Sequence, residues 1–292
     1  MRSSEDRVLR LHARLTFRDR QLLDWLADHK VLTTFQISNA LFGSLDFAQR
    51  RLLTLHQLGL VDRFRPLRMG GGSYPWHYVL AQTGAEHVAS TRQEPPPKRG
   101  QTTEAARRIA NSRLLPHLLG VNEFFTGLAG HARTHPGAKL ERWWSEQRLG
   151  RAGVFALSVT SPVRADGHGV YREDGRRVAF FLEWDSGGEQ LRLLTGKLSS
   201  YADHVTKGGP AWPVLFCLPT TRRETNLHRM LDRLRLRVPV PVATCARDSL
   251  DAGGGPAGAV WLLHRASDAP RRLIDLTGLG DPAPDTTPPR PA

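Results

Sequence analysis

The chain has 292 residues, of which 40% are hydrophobic and 24% charged, and a formal net charge of +13 at pH 7. This composition is typical of a globular protein, and the length favours two domains. No apolar stretch approaches the roughly 20 residues of a membrane helix, and the opening MRSSEDRVLRLHARL lacks the apolar core of a signal peptide. We therefore expect a cytoplasmic protein with no membrane partner. Its positive charge predicts a polyanionic partner, most simply a nucleic acid.

Two proline-rich segments suggest how the chain is divided. Residues 91–104 contain three consecutive prolines among polar residues, which predicts a linker. Residues 278–292 hold too few apolar side chains to pack, which predicts a disordered tail. We expect one domain in residues 1–90 and a second in residues 105–277.

The first domain shows three helix signals in short succession. Thr16, Thr33 and Ser44 each precede a run with apolar residues at helical spacing, where they can cap a helix. Two strand-like runs follow, residues 60–67 and 74–80, joined by a glycine-rich tip that predicts a β-hairpin. Three helices followed by such a hairpin predict a winged helix-turn-helix.

A winged helix presents the N-terminal half of its third helix to the major groove of DNA. In this sequence that surface carries Gln49 and Arg50, which could contact base edges. Arg63, Arg65 and Arg68 on the hairpin suit phosphate contacts. Winged helices also serve as protein–protein modules, and that alternative stays open.

In the second domain the stretch FFLEWDSGGEQ, residues 180–190, ends a strand-like run with two carboxylates. Glu183 and Asp185 are two residues apart, so a strand would place both on one face. The dipeptide Asp-Gly at 174–175 is a strong signal for a two-residue hairpin turn. The register of that hairpin would place Asp166 opposite Glu183, and Arg164 opposite Asp185.

Opposed carboxylates need compensation. They are normally reconciled by a shared proton, by basic neighbours such as Arg164, or by a divalent cation that takes oxygen ligands. The residues alone leave these alternatives open. Around the hairpin we expect a strand carrying Glu146, a helix on which Lys197 and Tyr201 share a face, and a further strand and helix. This succession predicts an α/β domain built on a mixed sheet.

The acid-bearing hairpin resembles the core of the PD-(D/E)XK nucleases. In that superfamily an Asp and a following Glu or Asp hold Mg²⁺, and a Lys two residues later assists the attacking water. The resemblance implies that Asp166 and Glu183 are metal ligands and that Asp185 occupies the lysine position. Lys197 is then the candidate for a lysine moved to the next helix, with Asp185 or Glu146 assisting.

The chain as a whole is similar to the replication-relaxation family of actinobacterial plasmids and mobile elements. The similarity covers about residues 15–240 and depends on the order of TFRDRQLLDWL, FAQRRLLTLHQLGLVDR, HLLGVNEFF, FFLEWDSGGEQ followed by KLSSY, and VLFCLPTTRRE. It implies an α/β (α+β) chain in which an N-terminal winged helix is followed by a restriction-endonuclease-like mixed-sheet domain. It also implies DNA association, with other replication or transfer proteins as further partners.

Three functions follow from these features. The first is a DNA-binding protein in replication, relaxation or transfer of plasmids or mobile elements, without efficient catalysis because the lysine position holds Asp185. The second is a Mg²⁺-dependent nuclease or nickase that uses Asp166, Glu183 and Lys197. The third is a winged-helix transcriptional regulator. No other cofactor is indicated, because the sequence has no phosphate-loop, H-E-x-x-H or G-x-S-x-G motif.

Overall fold

The structure is a computed structural model that describes residues 14–66, 72–151, 155, 163–234, 239–250, 252–266 and 269–284. The chain divides into two compact units, residues 1–126 and 127–292. No described helix is long and apolar enough to cross a membrane.

The first unit combines short helices with a small antiparallel sheet. Its helices are α1 (Phe17–His29), α2 (Thr34–Ile37, continued by a π-helical turn, Ser38–Phe42), α3 (Leu45–Gln57), α4 (Gln82–Thr91), α5 (Gln101–Ala110) and the first part of α6 (Leu115–Thr134). Its strands are β1 (Leu32–Thr33), β2 (Val61–Phe64) and β3 (His77–Leu80), in the sheet order β1-β3-β2.

Side-chain caps start helices α1, α2 and α3 at the residues that the sequence predicted. The Thr16 hydroxyl accepts a hydrogen bond from the Asp19 amide, and the Asp19 carboxylate accepts one from the Thr16 amide, which completes a capping box. Thr33 and Gln36 form the same reciprocal pair at α2. Ser44 caps α3. The predicted apolar stripes are buried at Leu22, Leu23, Leu26, Leu52 and Leu55.

Strands β2 and β3 form an antiparallel hairpin whose register runs from Val61 opposite Leu80 to Phe64 opposite His77. The strands are shorter than the predicted runs, and the predicted tip, including Arg68, lies partly outside the described residues. Gly84 lets helix α4 pack closely against the chain just before β2. A Cβ at this position would lie 2.0 Å from the Leu60 carbonyl oxygen, so a larger residue would not fit without a shift of the backbone. Within residues 14–66 three helices thus precede the hairpin, while the winged-helix assignment stays a prediction.

The predicted linker and tail both contain residues with defined contacts. Residues 101–104 of the predicted linker begin α5. In the predicted tail, the Asp281 carboxylate accepts a hydrogen bond from the Ala211 amide at 2.7 Å, and the Pro282 carbonyl accepts one from the Trp212 indole at 3.2 Å. Prolines lack an amide donor but keep a carbonyl acceptor, so a proline-rich segment can be anchored in this way. Residues 285–292 lie outside the described part.

The second unit is built around a six-stranded mixed sheet in the order β4-β5-β6-β7-β8-β9. Its strands are β4 (Lys139–Ser145), β5 (Gly167–Glu173), β6 (Arg176–Trp184), β7 (Val214–Leu218), β8 (Val242–Ala246) and β9 (Leu262–Leu263). Its helices after α6 are α7 (Glu146–Leu149), α8 (Leu191–Thr206), α9 (Thr221–Leu234) and α10 (Arg247–Leu250), followed by a 3₁₀ turn, Leu273–Leu276. Strands β6, β7 and β8 are parallel and the other pairs are antiparallel. The predicted mixed α/β organisation is confirmed.

The β5–β6 hairpin has the predicted register, from Glu173 opposite Arg176 to Gly167 opposite Leu182. The two-residue turn that joins the strands can form because Asp174 and Gly175 both adopt positive φ angles, 49° and 75°. A two-residue turn of type I′ requires such angles at both central positions.

The main core of the second unit lies between the sheet and α8 and α9. Phe181 is fully buried, as are Val214 and Phe216 on the neighbouring strand, and α8 contributes Leu194 and Leu198 to the same cluster. Because this face of the sheet is tightly packed, it fixes the position of the β5–β6 hairpin and therefore of Glu183, near the end of β6.

Candidate functional site

Asp166 and Glu183 lie at the open end of the β5–β6 hairpin. The last pair in the register is Gly167 opposite Leu182, and both carboxylate residues are one position beyond it. The Asp166 carboxylate accepts a hydrogen bond from the backbone amide of Trp184 at 2.7 Å. This bond extends the strand pairing through a side chain and fixes Asp166 beside β6.

Glu183 is buried, with 1% of its surface exposed, and both of its carboxylate oxygens have partners. Oε1 accepts a hydrogen bond from the Tyr201 hydroxyl at 2.6 Å. Oε2 accepts one from the Lys197 ammonium, also at 2.6 Å. Lys197 and Tyr201 are one turn apart on α8, so the face that the sequence predicted they would share is directed at Glu183.

The charges in this group are strongly coupled. Burial, followed by the nearby charge of Asp166, raises the pKa of Glu183 to about 7. Burial alone would lower the pKa of Lys197, but the charges of Glu183 and Asp166 more than offset it and raise that pKa to about 12. At neutral pH Lys197 is therefore cationic, while Glu183 is present in both its protonated and its ionised form.

Asp185 lies apart from this group, in a separate ion pair. Its side chain is 1% exposed, and the Arg223 guanidinium donates to it through both Nε and Nη2. Its Oδ1 also accepts a hydrogen bond from the Gly187 amide at 2.7 Å. The prediction that Arg164 would lie opposite Asp185 was wrong. Strand β6 ends at Trp184, so the hairpin register does not extend to Asp185, and Arg164 is exposed.

Glu146 also differs from its predicted setting. Strand β4 ends at Ser145, and Glu146 is exposed as the first residue of α7. The extended backbone of Ser145 at the N-cap position marks the change from strand to helix.

The nuclease resemblance implies a Mg²⁺ ion held by carboxylates. The described residues contain no group of three or more His, Cys, Asp or Glu side chains that could hold a metal ion. Mg²⁺, however, is commonly bound by one or two protein carboxylates together with waters and substrate phosphates. Asp166 and Glu183 fit this smaller requirement, provided that a phosphate supplies further ligands.

The predicted DNA-contacting residues lie in the first unit. Gln49 and Arg50 are exposed on α3, and Arg50 forms an i, i+4 ion pair with Asp46 at 2.7 Å. The guanidinium groups of Arg63 and Arg65 lie over the indole ring of Trp76, at 4.2 Å and 4.0 Å from its centroid. Arg68 falls outside the described residues.

Sequence reasoning missed two features of these sites. The ion pair between Arg223 and Asp185 was not predicted, and neither was the contact of Trp76 with the hairpin arginines. The available signal for Arg223 was its position in the first turn of the helix that follows β7, because parallel neighbours end at the same edge of a sheet. For Trp76 the signal was an aromatic residue opposite basic residues on a predicted hairpin.

We expect the buried ionisable groups to give the protein a stability optimum in mildly acidic solution without metal. Burial lowers the pKa of His168 from 6.5 to about 3, so stability should fall as pH decreases below 6.5, by about 5 kcal/mol at the lower limit. Glu183 has a raised pKa, about 7 against 4.5, so its contribution should be lost as pH rises from 4.5 to 7, by about 3 kcal/mol. Urea unfolding in EDTA across this range measures both.

Two variants separate these contributions. Relative to the parent, His168→Phe should gain stability as pH falls below 6.5, and Glu183→Gln should gain it as pH rises above 4.5. A stability difference that stays constant with pH for either variant would contradict the assignment of that group.

Comparison with known proteins places the chain in a family. Residues 23–219 match the family model described as replication-relaxation. Neither the curated proteins nor the solved structures gave a match. The family description suggests a role in replication or relaxation of plasmids or mobile elements. Because the match covers more than half of the chain, this protein belongs to the replication-relaxation family.

Proposed function

We propose that the protein binds double-stranded DNA during replication, relaxation or transfer of plasmids or mobile elements, and that its first unit is a winged helix. The main support is the set of basic side chains that this unit exposes. Arg50 is 71% exposed in the N-terminal half of α3, and Arg65 is exposed on the hairpin. Helix and hairpin are the two elements with which a winged helix contacts DNA.

The stacking of Arg63 and Arg65 on Trp76 supports a phosphate-contacting role for the hairpin. Cation–π contact restrains a guanidinium while leaving it charged. A restrained arginine loses less side-chain entropy when it binds, and its planar fork matches the oxygens of a phosphate. Trp76 therefore prepares both arginines for contact with the DNA backbone.

In this proposal the second unit adds a nuclease-like surface without efficient catalysis. The position that carries lysine in the resembling nucleases holds Asp185, and the Asp185 carboxylate is bonded to Arg223. Partner proteins of replication or transfer would bind in addition to DNA, and the protein would act in the cytoplasm.

Mg²⁺-dependent nicking is the second candidate, and it is favoured by the Lys197–Glu183 contact of 2.6 Å. Asp166 and Glu183 would hold the ion, which would supply charge neutralisation at the phosphate and a more acidic bound water. Lys197, cationic at neutral pH, would stabilise the charge that develops on the phosphate. Tyr201 would hold Glu183 in place through its hydroxyl.

Removing the two hairpin charges should weaken DNA binding in a salt-dependent way. For Arg63→Gln with Arg65→Gln, we expect the slope of log K against log salt to decrease by about 2, because each lost phosphate contact contributes about 0.9. Fluorescence anisotropy of the full chain with a labelled duplex, at a series of salt concentrations, measures this slope.

The matched control is Arg107→Gln with Arg108→Gln, which removes the same charge from exposed positions on α5 of the same unit. Its slope should stay close to that of the parent. Parent binding that ignores salt would refute the proposed function, and an equal decrease in the control would refute the role of the hairpin.

A further inference from the structure

Strand β4 and the following short helix α7 bring two arginines onto one aromatic ring. The guanidinium groups of Arg142 and Arg148 lie 4.3 Å and 4.9 Å from the ring centroid of Trp144. We call these three residues the arginine–tryptophan cluster. Among the described residues, neither guanidinium forms an ion pair with a carboxylate. Two positive charges are thus held together without direct neutralisation.

The sheet register places the cluster on the same face as the acid pair. Trp144 pairs with His168, and His168 pairs with Phe181, so these three side chains share one face. Asp166 precedes His168 by two residues and Glu183 follows Phe181 by two residues. Side chains two residues apart in a strand lie on the same face, so Asp166 and Glu183 share the face of the sheet that carries Trp144.

The surroundings of Arg142 favour an additional anion. Burial, and then the charges of Arg148 and Arg177, lower the pKa of Arg142. The adjacent carboxylate of Glu141 is bonded to Arg172 at 3.0 Å and to Arg177 at 2.8 Å. The Glu141 carboxylate is therefore already paired with two other arginines and does not neutralise Arg142 by direct contact. An incoming anion would relieve the remaining repulsion between Arg142 and Arg148.

The aromatic ring is itself anchored. Trp144 contacts Phe155 and His168, with ring centroids 6.1 Å and 5.2 Å away, and packs against the main core of the unit. A ring held in this way restrains the guanidinium groups stacked on it. The N–H groups at their edges can then bind phosphate oxygens in a forked geometry.

We propose that the arginine–tryptophan cluster, on the sheet face that also carries Asp166 and Glu183, binds the phosphodiester backbone of duplex DNA. It would form a second DNA contact, in addition to the helix and hairpin of the first unit. The inference rests on the proposed DNA binding but needs no cleavage. Its ligand is a backbone phosphate, so binding should not depend on base sequence.

The test is a salt titration of duplex binding by the full chain carrying Arg142→Gln and Arg148→Gln. We expect the slope of log K against log salt to decrease by about 2 and the affinity in moderate salt to fall about tenfold or more. Arg148→Gln alone, at an exposed position, should decrease the slope by about 1. This single variant keeps the test valid if loss of the half-buried Arg142 impairs folding, which circular dichroism would detect.

The control variant carries Arg229→Gln and Arg233→Gln, two exposed positions on α9 of the same unit. It removes the same charge and should leave the slope close to that of the parent. A parent that binds duplex DNA while the cluster variants retain its slope would overturn this inference alone. A cluster variant no weaker than the control would do the same. A parent that binds no duplex DNA would overturn both this inference and the proposed function.

Discussion

Replacement of Arg223 by glutamine should lower the free energy of unfolding by about 3–5 kcal/mol, because it leaves a buried carboxylate without its counter-charge. Asp185 is 1% exposed, and Arg223 supplies two of its hydrogen bonds. The Gly187 amide would remain as a donor, but a neutral amide cannot compensate a buried charge fully. Urea unfolding at pH 7, followed by circular dichroism and linear extrapolation, gives the difference.

Two further variants define the origin of that loss. Asp185→Asn combined with Arg223→Gln removes both charges, so it should recover most of the stability lost in Arg223→Gln. Arg222→Gln changes the adjacent, exposed residue of the same helix turn and should alter stability by no more than about 0.5 kcal/mol. Equal stability of the Arg223 and Arg222 variants would show that the ion pair contributes nothing.

Local signals were sufficient to predict the hairpin and the helix starts. The turn at Asp174 and Gly175 fixes the register of β5 and β6, and that register alone placed Asp166 beside Glu183. Capping boxes are equally local, since Thr16 and Thr33 act on residues three positions later. Such features depend on a few consecutive residues, so the sequence carries them directly.

The partner of Asp185 could not be predicted in this way. Arg223 follows β7, which lies parallel to β6 after the crossover helix α8. Its approach to Asp185 depends on how that crossover packs, and no local pattern encodes the result. Lys197 was easier to identify, because it lies on the first helix after the acids, one turn before Tyr201.

The extent of the first unit also depends on contacts distant in sequence. The Asn122 side chain donates to the carbonyl oxygens of His29 and Val31, at 3.2 Å and 2.6 Å. The Gln36 side chain donates to the carbonyl of Leu119 at 2.8 Å. These bonds associate the first part of α6 with the first unit, whereas the composition around the prolines suggested a boundary at residue 105.

If the group around Glu183 cleaves DNA, Lys197→Met should reduce Mg²⁺-dependent nicking by about 10²–10³-fold, since one preorganised charge would be lost. Asp166→Asn and Glu183→Gln should each reduce it at least as much, because each removes a charged ligand. The assay is conversion of supercoiled plasmid to the open circle with Mg²⁺ or with EDTA. The control is Lys207→Met, which removes an exposed lysine paired with Asp203 just beyond the same helix.

The pH profile of this assay tests the same group independently. Protonation of Glu183 competes with Mg²⁺ binding, and burial and Asp166 raise the pKa of Glu183 to about 7 in the metal-free protein. At limiting Mg²⁺, nicking should therefore increase as pH rises towards that value. A profile that is flat across neutral pH, or a Lys207 variant as impaired as the Lys197 variant, would argue against catalysis at this site. A folded parent that binds DNA but nicks nothing would reject the nuclease, and the contact between Lys197 and Glu183 would then only compensate the charge of a buried carboxylate.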